Sequence, residues 1–323
     1  MRLPRRRAGH RTGVPEPRVV LVTGGSSGIG RAAALQAART GDHLHLLARG
    51  PESLEAAARE CEQAGAASAT AFAADVADDD AVRRWVEGVV ERHGRVDVVI
   101  SNAGVVSYGR SEDVPAEVAE RVLRTNLLGS LTVARHVLPV LRAQGEGTLL
   151  LVGSLIGHVA IPTMTPYVLS KWGVRALVRQ LQLENRDLPD VHIRYVAPGG
   201  VDTPIYPHAA NYLGREGRPP PPAASPARAA AQVWRRVDHG WLPDQLSVLN
   251  YPIVWGSSLL PWLFERLIGT AFPLGATDLT HDLPATEGNV LDSLDRDNRT
   301  RGGAGSSVLG VARNLAAVLR GRV

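Results

Sequence analysis

Short apolar runs alternate with helix-length stretches along residues 18–197 of this chain, and that alternation leaves few folds open. The runs at 18–23 (RVVLVT), 43–48 (HLHLLA), 69–73 (ATAFA), 96–101 (VDVVIS), 148–153 (TLLLVG) and 192–197 (HIRYVA) have the length and residue content of strands. The stretches 51–64, 78–92, 117–144 and 166–188 have the length and composition of helices. Strands that are apolar on both faces belong in a parallel sheet covered by helices on each side, so an α/β fold is expected. Ligands of such sheets sit beyond the carboxyl ends of the strands, in the turns that follow each run.

The first of those turns opens TGGSSGIGRAAALQAA, with glycines at 24, 25, 28 and 30. Glycine permits a tight turn and close approach of a pyrophosphate to backbone N–H groups, and a helix from about Gly28 turns its positive end to the anion. Lying between a strand and a helix, this loop points to nucleotide binding rather than to a plain turn. A second candidate is TPYVLSKWG at 165–173, where Tyr167 precedes Lys171 by four positions, so that on a helix the phenol and the ammonium share a face. Of the 36 basic residues 35 are arginine, and Lys171 is the one lysine. A nearby cation favours the phenolate and lowers a pKa that is otherwise about 10. The compact ammonium can also hold a sugar hydroxyl, where a planar guanidinium has a different shape and reach. The pair is expected to act as a proton donor and acceptor, although its spacing alone also fits an ordinary exposed helix pair.

With 44% hydrophobic and 21% charged residues, the 323-residue chain has the balance of a soluble globular protein. Its single cysteine, Cys61, excludes an internal disulfide framework and fits a reducing compartment, so a cytoplasmic location is expected. The net charge of +4 does not indicate a nucleic-acid partner. Residues 1–15 and 298–323 each hold five Arg and no acid, and without those ten the charge of residues 16–297 is about −6. Residues 1–16 are read as a disordered basic arm rather than a secretory signal, and no apolar run is long enough to span a membrane.

Taken together, these features resemble the short-chain dehydrogenases/reductases over about residues 17–240, with several motifs in family order. The loop is similar to the family's TGxxxGxG segment at Thr23, Gly24, Gly28, Ile29 and Gly30, with Ser26 and Ser27 inside it. Asp75 and Val76 stand where the family contacts the adenine, and Asn102, Ala103 and Gly104 match its NAG motif. The PGGVDTP stretch resembles the family's PGxVxTP segment, which puts Pro198, Gly199, Val201 and Thr203 at the nicotinamide end of the cofactor. Asn126, Ser154, Tyr167 and Lys171 fall on its catalytic positions. The resemblance implies a doubly wound Rossmann-type sheet and an NAD(P)-dependent oxidoreductase with no metal. It further implies that the nicotinamide exchanges hydride with a carbonyl carbon while Tyr167 exchanges a proton with its oxygen. Ser154 would hold that oxygen, Lys171 would favour the tyrosinate and hold the ribose, and Asn126 would hold a relay water.

Cofactor choice turns on the end of the second strand, where an acidic residue would bind the ribose 2′-hydroxyl of NAD. This chain has Ala48, Arg49 and Gly50 there, and the Arg49 cation suits a 2′-phosphate, so NADP(H) is favoured over NAD(H). The position before the middle glycine, basic in many NADP-dependent relatives, is here Ser27.

A substrate lid is expected at about 203–225, stiffened by prolines 219–222, with a helix from Ser225 and Pro226 to about Val237. Together with Leu155, Ile156, Val159, Ile161 and Met164, the lid is expected to shape a pocket for an apolar carbonyl or alcohol. Residues 241–323 form a C-terminal extension, expected to be helical and to pack on or near the active site or at the interface of a homo-oligomer. Its residues 241–275 hold three of the six Trp and two of the three Phe, so peripheral membrane contact is the competing reading. An NADP(H)-sensing binding protein without catalysis is the alternative to an enzyme, and the complete set of four catalytic positions favours the enzyme.

Overall fold

The computed structural model describes residues 16–295 and 298–320, so the expected basic arm lies, Glu16 apart, outside the described residues. The strands are β1 (Val19–Thr23), β2 (His43–Ala48), β3 (Ser68–Ala73), β4 (Val98–Ser101), β5 (Ser107–Tyr108), β6 (Gly147–Val152), β7 (Val191–Val196), β8 (Ala210–Asn211), β9 (Arg215–Gly217) and β10 (Thr277–Asp282). Six of them, those expected from the sequence, make one parallel sheet in the order β3-β2-β1-β4-β6-β7. The order reverses between β1 and β4, which opens a crevice at the carboxyl ends of these strands.

Ten α-helices are described: α1 (Gly28–Ala38), α2 (Pro51–Gln63), α3 (Asp79–His93), α4 (Ala116–Leu123), α5 (Gly129–Gln144), α6 (Thr165–Glu184), α7 (Pro226–Asp238), α8 (Asn250–Leu259), α9 (Pro261–Ala276) and α10 (Ser307–Leu319). Successive side chains of a strand point to opposite faces, and β1 shows the result. Val20 and Val22 enter a cluster with Ala33 and Ala37 of α1, Leu54 of α2 and Trp234 of α7. Val19 and Leu21 enter another with Trp85 of α3, Val137 of α5 and Val178 of α6. The alanine-rich face of α1 lets α7 come close enough for Trp234 Nε1 to donate to the carbonyl of Ala33 at 2.9 Å. This contact fixes the helix that begins at the glycine turn.

One expectation is refined. The stretch 117–144 is helical throughout but not α-helical throughout: a π turn at Arg124–Leu128 separates α4 from α5, and it carries Asn126. Such a turn rotates the residues that follow and recurs at functional sites. Within the lid, β8 pairs with β5 and β9 pairs with β10 of the C-terminal extension. The extension is tied in turn by Asn314 of α10, fully buried, whose Nδ2 donates to the carbonyls of Leu274 (2.8 Å) and Thr277 (2.7 Å).

Trp234→Ala removes a buried indole and its bond to α1, and is expected to lower stability by about 3–5 kcal/mol in denaturant unfolding. A loss below about 1 kcal/mol would show that α7 does not clamp α1.

Candidate active site

The β1–α1 turn is stitched to the segment after β4. Thr23 Oγ1 accepts from the N–H groups of Asn102 (3.0 Å) and Ala103 (3.1 Å), while Asn102 Nδ2 donates to the carbonyls of Thr23 (3.2 Å) and Gly24 (3.4 Å). The turn is so tight that a Cβ on Gly30 would stand 2.2 Å from the Gly24 carbonyl oxygen. Gly28 has φ +54°, a left-handed conformation, and a Cβ there would meet Thr203 at 3.2 Å. The segment after β7 therefore closes on the same turn. Within that segment the Pro198 carbonyl accepts from Leu155 N–H at 2.7 Å, Gly199 faces Asn250, and Val201 is buried. Ser26 is buried, Ser27 precedes α1 without a side-chain cap, and Ile29 packs against the α1 core. Gly104 lies beside Asn126.

Ser154, directly after β6, accepts from Ile156 N–H at 3.2 Å and is hydrogen-bonded to Tyr167. Tyr167 and Lys171 lie one turn apart on α6, with Lys171 Nζ 5.7 Å from the centre of the tyrosine ring. That ammonium donates to the carbonyl of Val152 at 3.0 Å. Burial holds Lys171 down at about 8. Burial likewise pushes Tyr167 up to about 12, against a smaller opposing pull from the Ser154 bond. The expected lowering of the tyrosine is thus reversed: desolvation of the phenolate dominates, and the Ser154 bond opposes it only in part. Asn126 is fully buried; its Oδ1 accepts from Val105 N–H (2.8 Å) and its Nδ2 donates to the Val105 carbonyl and to Ser170 Oγ (both 2.9 Å). Ser170 Oγ then donates to the carbonyl of Tyr167 at 2.7 Å. Both amide protons of Asn126 are engaged, so its side chain ties α6 to the segment after β4.

Tyr167 borders an apolar cluster containing Val105, Tyr108, Met164, Phe272, Ala276 and Val290, with Ile156, Ile161 and Tyr206 packed on it. Of the expected pocket residues, Leu155 and Val159 do not join it. Tyr108 and Tyr206 were not singled out from the sequence; burial raises both, and each lies close enough to Tyr167 to feel its charge.

The crevice continues past the glycine turn into a cavity of about 100 Å³ lined by Arg49, Asp75, Val76 and Thr125, together with Asn289, Ser293, Leu294 and Asn298 of the extension. Asp75 pairs with Arg121 of α4. The Arg121 charge, after burial, is the main influence lowering the pKa of Arg49. Nothing in the sequence connects residues 49, 75 and 121, which meet because Arg121 reaches from α4 to Asp75, just past the end of β3. Arg49 itself donates to the carbonyls of Val290 and Leu291, both at 3.0 Å, and to that of Asn289.

Residues 18–211 match the family model described as short chain dehydrogenase. A sepiapterin reductase from Chlorobaculum tepidum is 34% identical over 195 residues, covering 58% of this chain and 79% of the relative. A 3-dehydrosphinganine reductase from Arabidopsis thaliana is 35% identical over 190 residues, covering 58% of this chain and 56% of the relative. Among solved structures, an alcohol dehydrogenase from the archaeon Thermococcus sibiricus, complexed with 5-hydroxy-NADP, is 33% identical with a TM-score of 0.60. That match covers 71% of this chain and 92% of the other.

The buried ammonium makes a testable demand on stability. Lys171 titrates at about 8 in the fold against 10.5 unfolded, so between those values the unfolded chain binds more protons and stability rises with pH. Tyr167, raised from 10.0 to about 12, acts in the opposite sense only above pH 10. Between pH ~7.5 and ~9.5 the wild type is therefore expected to gain stability relative to Lys171→Met in denaturant unfolding. A difference that stays constant over this window would mean that Lys171 titrates like an exposed lysine.

Proposed function

This chain belongs to the short-chain dehydrogenase family, and we propose that it works there as an NADP(H)-dependent carbonyl reductase or alcohol dehydrogenase on an apolar substrate. NAD(P)-dependent oxidoreduction is the activity of the class. The observation that carries the finer reading is Tyr167, bonded to Ser154, beside Lys171, and bordering the apolar cluster. The groups present fit a dinucleotide. Gly24 and Gly28 take left-handed backbone, Gly30 has no room for a Cβ, and the first turn of α1 offers its N–H groups beside them. Thr23, Gly24, Ser26, Gly28 and Gly30 would hold the pyrophosphate end, Asp75, Val76 and Gly104 the adenosine, and Val201 and Thr203 the nicotinamide.

When bound, the nicotinamide supplies or accepts the hydride. The chain's own part is to hold and move a proton. Ser154 Oγ would hold the carbonyl oxygen beside Tyr167, and Tyr167 would donate the proton that becomes the alcohol hydroxyl. Burial raises Tyr167, and a charged Lys171 one helical turn away would bring it down in the working complex. Lys171 Nζ has donors left after Val152 and can turn one to the ribose. Asn126 sets the pitch of α6 through Ser170. The apolar surroundings of Tyr167 favour a substrate with hydrocarbon rather than charged neighbours to its carbonyl. Arg49, with Arg121 nearby, supports the 2′-phosphate of NADP(H), as does the NADP analogue bound by the Thermococcus sibiricus relative. A cofactor sensor without catalysis would have no use for the Ser154, Tyr167 and Lys171 arrangement.

The extension favours a second reading for one surface. No helix among the described residues is long and apolar enough to cross a membrane. On α8, on α9 and at the joint between them, however, Trp255, Leu259, Leu260, Trp262 and Leu267 are exposed, the tryptophans at 60% and 67%. Peripheral contact with an anionic bilayer, aided by Arg266, Arg313 and Arg320, would cover this surface; Arg322 lies outside the described residues.

Tyr167→Phe is expected to lower turnover by about 10²–10⁴-fold while leaving NADPH binding, itself tighter than NADH binding, within about twofold of wild type. Near-normal turnover would remove Tyr167 from the proton path. Flotation with liposomes tests the surface: binding that needs anionic lipid and weakens with salt is expected. A protein that stays soluble throughout but runs as a dimer assigns the surface to a second copy instead.

A further inference from the structure

Residues 289–295 and 298–302 run back from the lid across the open ends of β2 and β1, and their bonds fall on the cofactor crevice. At the end of β2 they take Arg49, whose guanidinium reaches the three successive carbonyls of Asn289, Val290 and Leu291. At the start of α2, Ser53 Oγ donates to the Asp295 carboxylate (2.7 Å) and accepts from Asn298 Nδ2 (3.0 Å). On α1, Arg31 donates to the Asn298 carbonyl at 2.9 Å. At the glycine turn, the N–H of Gly28 donates to the carbonyl of Arg299 at 3.1 Å. Beyond it, Gly302 N–H donates to the Asp202 carbonyl at 3.2 Å, and Gly302 packs against Thr203. These contacts follow the crevice from its adenosine end to its nicotinamide end.

Two of the groups so held are the ones that phosphates of a dinucleotide require, a guanidinium at the end of β2 and an N–H at the start of α1. The space left beneath the segment is about 100 Å³, against about 300–1,000 Å³ for a small-molecule pocket. Val290, within the segment, is fully buried in the cluster that borders Tyr167. The segment is a packed part of the site rather than a draped loop.

We infer that this strap is an intramolecular competitor of the cofactor: closed, its carbonyls hold Arg49 and Gly28, and NADP(H) binds the open form. The inference rests on the reading of the crevice as an NADP(H) site. A charged phosphate accepts hydrogen bonds about twice as strong as those of a neutral carbonyl, so the cofactor can displace the strap from Arg49. Opening is a step that NADPH and NADH share. It therefore raises both apparent dissociation constants by one factor, the inverse of the open fraction.

The test uses the full chain with Asp295→Ala and Asn298→Ala together, which frees both side-chain anchors on Ser53 and leaves the four catalytic positions alone. NADPH and NADH are each titrated by nicotinamide fluorescence. Both dissociation constants are expected to fall by a common factor on the order of tenfold, with their ratio unchanged. Arg49→Asp, in contrast, is expected to move the ratio toward NADH. Equal or weaker binding of both cofactors by the double variant overturns the strap as a competitor, even where Arg49→Asp shifts the ratio and the cofactor reading stands. An unshifted ratio in Arg49→Asp removes Arg49 from phosphate recognition while the double variant still decides the strap. On the wild type, NADPH is expected to speed trypsin cleavage after Arg299 and Arg301, and protection of those bonds by NADPH overturns the inference.

Discussion

The ammonium of Lys171, buried behind Tyr167 and bonded to the carbonyl of Val152, is the interaction around which this molecule is arranged. A charge in that position is unfavourable by itself, as its lowered pKa records. It persists because three independent pieces of structure converge on it. The carboxyl end of β6 presents the Val152 carbonyl, the turn after β6 brings Ser154 to Tyr167, and the π turn at Arg124–Leu128 holds α6 in place through Asn126 and Ser170. The choice of the chain's one lysine for this place is then intelligible. An ammonium needs few partners and can sit against one carbonyl, whereas five guanidinium N–H donors would have to be satisfied in the same small volume.

The sheet was legible because its physics is local. Strands buried on both faces must be apolar almost throughout, and runs such as VVLVT and TLLLV follow. The glycine turn and the Tyr167 and Lys171 pair were legible for a similar reason, since each depends on residues a few positions apart. What stayed hidden depends on distance along the chain. Arg121 meets Asp75 across 46 positions, and Arg49 meets Val290 across 241. The sign of the Tyr167 shift was also beyond reach, because spacing reveals the neighbouring cation but not how completely water is removed. The π turn escaped because 117–144 is helical in composition throughout, and the interruption answers to a buried amide that must reach the Val105 backbone.

The extension serves two surfaces with opposite requirements. Its inner part, from Phe272 and Ala276 to Val290, completes the apolar wall beside Tyr167 and continues over the crevice. Its outer part, α8 and the first turns of α9, leaves tryptophan and leucine side chains in water, which is unfavourable by roughly 25 cal/mol for each Å² left uncovered. The apolar substrate proposed above would suit this apolar wall and uncovered apolar surface: a ligand that partitions into lipid would be met where it resides.

The most direct measurement follows the nicotinamide absorbance while the purified protein is given NADPH or NADH with a panel of apolar aldehydes and ketones, and NADP⁺ with the matching alcohols. The account predicts NADPH consumption with one or more apolar carbonyls, one alcohol formed per NADPH, and a slower reaction with NADH. Tight NADPH binding with no turnover across the panel would contradict it, and would make this chain a cofactor-binding protein that holds a catalytic arrangement without using it.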